Sequence, residues 1–193
     1  MADIKMNTPK GTAVFPSLAR PDTKFDELGM YKADLSVPLQ EAKDLMGKLT
    51  EVFKRHTGKV PNANENTMWY KQTDKDTGEE TGNVVFKIRV KNRMTKSGQL
   101  WDRKPVLFDA ALKPIQVNPW GGTEMIVSMS VYAWNAGGKM GVSLQPQAIQ
   151  IINLVEGGTS SHGFEATEGF DGSTVSAFED DVIVPTTDDL ADF

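Results

Sequence analysis

MIVSMSVYAW (residues 125–134), NAGG (135–138) and KMGVSLQPQAIQIINL (139–154) decide the fold. In the first segment Met125, Val127, Met129, Val131 and Ala133 alternate with Ile126, Ser128, Ser130, Tyr132 and Trp134. That is the two-residue period of a strand with one apolar side and one wetter side. Asn and paired Gly supply the positive-φ residues of a tight hairpin turn. The last segment returns as a strand, bent where Pro146 cannot donate to the ladder. Two long strands joined this way demand an antiparallel partner sheet, so the domain is mainly β.

The flanking sequence completes the reading. VVFKIRV (84–90) is a strong strand, PVLFDA (105–110) a shorter one, and TAVFPSL (12–18) a short first strand. In YKADLSV (31–37), Tyr31, Ala33, Leu35 and Val37 face one way, and Lys32, Asp34 and Ser36 the other. Pro38 then opens a helix over 38–56, where Ala42, Leu45, Met46, Leu49, Val52 and Phe53 recur at helical spacing. Lys54, Arg55, His56 and Gly58 mark its end. Residues 58–82 read as a long loop carrying Trp69 and Tyr70. The expectation is five or six strands, mostly antiparallel, with one prominent helix.

Charge divides the 193-residue chain in two. All 21 Lys and Arg lie between Lys5 and Lys139, against 16 Asp and Glu in residues 1–155, so the body carries +5. Residues 156–193 hold 10 Asp and Glu and no base, which makes −10. Low apolar content and high net charge predict a flexible acidic tail over 157–193 behind a folded domain at 1–156. The chain has no cysteine, which excludes disulfides and thiolate zinc sites. No stretch approaches the ~20 apolar residues of a membrane span, and the N-terminus does not read as a signal peptide. A soluble protein of the cytoplasm is expected, the host cell's if the chain is viral, with no membrane contact. His56 and His162 are the only histidines, and no phosphate-loop motif occurs. Catalytic residues, a metal and cofactors are therefore not expected, and the chain does not read as an enzyme.

Chemistry concentrates in two places. Phe86, Ile88 and Val90 point to one side of their strand, which leaves Lys87, Arg89, Lys91 and Arg93 as a row of cations about 6–7 Å apart on the other. Lys96, Arg103 and Lys104 extend it, so the window 87–104 contains seven bases and one acid, Asp102. Such a row neutralises phosphates. Trp69, Tyr70, Trp101, Tyr132 and Trp134 are the aromatics placed to stack on unpaired bases, each with core packing as its alternative. The second place is the chain end, where Asp188, Asp189, Leu190 and Asp192 crowd the terminal Phe193. That arrangement fits either the body's own cationic groove or a basic, apolar pocket on a partner.

Three stretches resemble the single-stranded-DNA-binding proteins of tailed bacteriophages, the gene-2.5-like group. They are KGTAVFPSL with GMYKADLSVPL, YAWNAGGKMGVSLQPQAIQI, and the tail ending DDLADF. The resemblance implies an OB-fold, a small antiparallel β-barrel that lays single strands across one face. It implies work in phage DNA replication, recombination and repair, with polymerase and helicase as tail partners; a homodimer is compatible with it. It assigns none of the binding residues above. One departure stands out: the expected helix follows only two strands, whereas the usual OB helix follows the third. A phage structural or assembly protein, a nuclease and an RNA chaperone remain as alternatives.

Overall fold

The computed structural model describes residues 4–61 and 68–157. Five strands precede the helix: β1 (Ile4–Asn7), β2 (Gly11–Ala13), β3 (Ser17–Asp22), β4 (Met30–Lys32) and β5 (Leu35–Pro38). The helix α1 (Leu39–Thr57) follows. Then come β6 (Trp69–Thr73), β7 (Glu80–Phe86), β8 (Arg89–Lys91), β9 (Arg93–Met94), β10 (Leu100–Trp101), β11 (Val106–Phe108), β12 (Glu124–Ala136) and β13 (Lys139–Asn153). β1, a separate β3 and the division of 31–37 into β4 and β5 raise the strands before the helix from the expected two to five.

β12 and β13 form the hairpin expected from their alternation, closed at Gly137 and Gly138 with φ of +57° and +77°. Both residues sit where only glycine is comfortable, which matches the twist of the strands. Ser128 pairs with Ala148 but Met129 with Pro146, so Gln147 bulges out beside the proline. Met125, Val127, Met129 and Val131 are buried with Val142, Leu144, Ile149 and Ile151. Ala42, Leu45, Leu49 and Phe53 bury the apolar stripe of α1 in the same core. The helix stops at Gly58, left-handed at φ +72°, whose N–H donates to the Lys54 carbonyl.

The main sheet runs β11-β13-β12-β2-β5-β7-β6, with β1 also on β12; β3-β4-β8 and β9-β10 form two smaller sheets. All named pairings are antiparallel except β11 with β13. A parallel bridge between Ile88 and Leu144 draws the β7–β8 junction toward β13. The result is a mainly β, barrel-like fold with one prominent helix.

Four expectations are corrected. The run 31–37 breaks at Ala33 and Asp34, because β4 belongs to one sheet and β5 to another. Its polar side is not wet there: Asp34 and Ser36 are buried, Asp34 accepting from the Ile88 N–H and Ser36 donating to Gln72 Oε1 at 2.6 Å. The run 84–90 breaks at Lys87 and Ile88 for the same reason, with β7 on β5 and β8 on β4. Residues 58–82 are not one loop, since β6 and the start of β7 form a hairpin within them. The run 12–18 is interrupted after Ala13, where Phe15 turns the chain with φ of +47°, and resumes at Ser17 as β3. No helix among the described residues is long and apolar enough to cross a membrane. The acidic tail, except for Gly157 at its start, lies outside the described residues, as do Asp188, Asp189, Leu190, Asp192 and Phe193.

Candidate nucleic-acid interface

A cleft of about 1090 Å³ opens beside the β12–β13 hairpin, between the C-terminal end of α1 and the β9–β10 ribbon. Its walls follow from strand alternation. Ser130 and Tyr132 come from the wetter side of β12, and Tyr132 is 45% exposed. Gln145 lies directly opposite Ser130 in the hairpin register, and Gln147 is the bulged residue. In the ribbon, Arg93 and Trp101 are cross-strand partners and therefore share a face, and both line the cleft. Asn92 anchors the ribbon's base: its side-chain amide donates to the Leu28 carbonyl at 2.9 Å, and its Oδ1 accepts the Arg103 N–H at 2.9 Å.

Arg103 is the best-defined cation in the cleft. Its guanidinium lies 5.1 Å from the Trp101 ring, and its Nη2 donates to Gln145 Oε1 at 2.6 Å. Burial, followed by the charge of Arg93, holds its pKa below the usual arginine value. Among the described residues, neither Arg93 nor Arg103 forms an ion pair with a carboxylate. Two like charges left close together without counterions favour an anionic ligand. Asp102, the single acid of the window, sits at the hydroxyl of buried Tyr31, whose pKa is pushed up to about 12 by burial and then by that carboxylate.

α1 adds Arg55 and His56, which the sequence reading assigned only to a helix end. Their contribution depends on how the helix docks: His56 Nε2 lies 3.0 Å from the Trp134 carbonyl. The local signal was a cluster of bases in the last helical turn, but such a cluster also complements the helix dipole wherever it points.

The expected row of four cations is broken up. Arg89 is held by Asp34, with its Nε 3.0 and 3.1 Å from the two carboxylate oxygens. Lys91 pairs with Asp26 at 2.8 Å. Arg93 belongs to a separate ribbon, so the four do not form one line. Lys87 instead lies over the Tyr70 ring at 5.2 Å, and the charge of Arg89 is felt at the Tyr70 hydroxyl. Burial and then Asp34 raise the Tyr70 pKa, with Arg89 opposing them. Lys96 stands exposed at the ribbon's turn and Lys104 is exposed just beyond Arg103; neither lines the cleft.

The aromatics separate by face. Tyr70 pairs with Val85, and Val85 with Ser36, on the outer side of the sheet; Trp69 pairs with Phe86 on the core side and is half-buried against it. Trp134 lies on its cross-strand partner Gly141, where a β-carbon would come within 2.4 Å of Trp134 Cζ2. Of the five, Trp101 and Tyr132 line the cleft, Tyr70 stands on the outer face, and Trp69 and Trp134 are packed. Among the described residues no group of three or more His, Asp or Glu could hold a metal ion.

Comparison of the whole chain with solved structures places this architecture. It superposes on gp2.5, a single-stranded DNA binding protein encoded by bacteriophage T7, with a TM-score of 0.60 over 89% of this chain and 100% of that one. The fold is that of phage single-stranded-DNA-binding proteins. The same likeness extends to the C-terminally truncated single-stranded DNA-binding protein of bacteriophage Enc34, with a TM-score of 0.58 over 79% of this chain and 87% of that one. The Enc34 protein in complex with ssDNA gives a TM-score of 0.55 over 79% and 88%. Identities are 20%, 13% and 12%, so the likeness is one of backbone. No family model matches the sequence, and no curated protein does.

Proposed function

We propose that this protein binds single-stranded DNA without sequence preference, protecting and organising the strand during phage DNA replication and recombination. One observation carries the reading: Arg93 and Arg103, unpaired with any carboxylate among the described residues, share an open cleft with Trp101 and Tyr132. The fold shared with the phage proteins, one of them solved with ssDNA, supports it. In this mechanism Arg93, Arg103 and Arg55 neutralise phosphates and release counterions. Bases stack on Trp101 and Tyr132, a contact every base can make through its π-face. Duplex DNA keeps its bases stacked on each other and cannot offer those faces.

The acidic segment 157–193 belongs to the same proposal on its charge alone. It competes for the cationic cleft and, once displaced, presents Asp188, Asp189, Leu190, Asp192 and Phe193 to polymerase- or helicase-type partners. Titration of tryptophan fluorescence with oligo-dT across a salt series tests the whole. Quenching and an affinity that falls as salt rises are expected, with tighter binding at low salt once residues 157–193 are removed. Absence of quenching and of salt dependence defeats the DNA reading; an unchanged affinity on truncation defeats the competing tail.

A further inference from the structure

Phe15 is 74% exposed, yet its backbone stands at φ +47°, and the next residue is Pro16. A bulky residue in the left-handed region is strained, and the position before proline disfavours departures from extended backbone. Burial of the ring does not offset that strain, because the ring is displayed to solvent. The chain before it is pinned: the Ala13 N–H donates to the Thr123 carbonyl and the Val14 N–H to Asp34, both at 2.8 Å. Strain of this kind collects where a group is held for a ligand.

The surroundings indicate which ligand. The Lys75 ammonium lies 5.4 Å from the Phe15 ring and repeats the arrangement of Lys87 over Tyr70 at 5.2 Å. Among the described residues neither lysine has a carboxylate partner. The two pairs lie on one side of the sheet, over Ser36 and Val85, which are themselves covered. Tyr70 and Gln72 lie on β6, Gln72 reaches Ser36 on β5, and Ser36 pairs with Thr12 on the strand that leads to Phe15. At its other end this side approaches the cleft, because the parallel Ile88–Leu144 bridge brings Arg89 level with Gln145, the residue that holds Arg103, and Lys87 level with Ser143.

We propose that Phe15 and Lys75, with Tyr70 and Lys87, form an outer track that takes the single strand beyond the cleft, with a base stacked on Phe15 and a phosphate against Lys75. The proposal rests on the single-stranded-DNA reading above. Alternating aromatic and cationic groups along a face suit unpaired nucleotides. Asp34 is neutralised by Arg89, and Asp74 is occupied by the N–H groups of Asp76 and Thr77, each at 2.9 Å. Asp76 and Glu79 of the same turn remain exposed and oppose a phosphate at Lys75, which leaves stacking on Phe15 as the main contribution of this end of the track.

Phe15→Gly in the full chain tests this, because glycine adopts the positive φ without strain and removes the ring. Oligo-dT of about 4 nucleotides, enough for the cleft, should bind the variant as it binds the unaltered chain, whereas oligo-dT of about 16 nucleotides should bind about fivefold more weakly. The thermal midpoint should hold or rise. Unchanged affinity for the longer oligonucleotide overturns the track and leaves the ring to a protein partner. A lowered thermal midpoint overturns it too, by making the ring structural. If the unaltered chain binds neither oligonucleotide, the DNA reading itself fails, and the track with it.

Discussion

Replacing Arg103 with alanine removes the cation whose surroundings are best defined. In the free protein Arg103 contacts Trp101 and Gln145 and stands near Arg93. Its stacking on Trp101 is present before and after DNA binds, so it cancels from the affinity. What is lost on binding is a charge-assisted hydrogen bond to phosphate, worth about 1.5–3 kcal/mol. The cleft is open to water, so the lower end applies, which is about tenfold in Kd. Loss of one phosphate contact should also flatten the plot of log affinity against log salt by about 0.7. Folding stability should change by no more than about 1 kcal/mol, because the lost Gln145 bond is offset by relief from Arg93. Arg103→Lys should keep the salt slope while losing part of the affinity. The assay is fluorescence titration with oligo-dT at several salt concentrations. A drop in affinity with an unaltered slope would refute the reasoning, since the loss would then come from displacement of Trp101 rather than from charge.

Two further predictions concern the scaffold. Asp34→Asn leaves Arg89 without its counter-charge and weakens the bond from the Ile88 N–H at the β7–β8 junction; denaturant unfolding should show a loss of about 2–3 kcal/mol, and a change under about 0.5 kcal/mol would show that the junction does not depend on the pair. Tyr31, raised from 10.0 to about 12 in the folded state, keeps a proton that the unfolded chain releases. Its contribution to stability is therefore complete below pH 10 and is lost as the pH rises toward about 12, so Tyr31→Phe should flatten the fall in unfolding free energy over that interval.

The cleft was partly legible. Composition and alternation alone single out Arg93, Trp101, Arg103 and Tyr132 as candidate binding residues. Their grouping with Arg55, His56, Gln145 and Gln147 was not legible, because residues from the helix end, the ribbon and the hairpin converge only after long-range pairing. The pairing of Arg89 and Lys91 with carboxylates, which breaks the expected row, has the same origin. Their partners Asp34 and Asp26 lie 55 and 65 positions away, and nothing local in VFKIRVKNR announces them. Trp69 and Tyr70 show the reverse case: once β6 is known to be a strand, alternation alone sends one ring inward and the other outward.

Local patterns in the chain determined the long hairpin, its glycine turn, the apolar stripe of α1 and the separation of a cationic body from an anionic tail. Each of these follows from side-chain periodicity or composition within a short window, which no distant contact alters. Tertiary structure alone decided which cations keep their charge available and which rings stay exposed. A charge is neutralised, and a ring covered, by whatever the folded backbone brings within a few ångströms, and here that came from strands and a helix far apart in sequence.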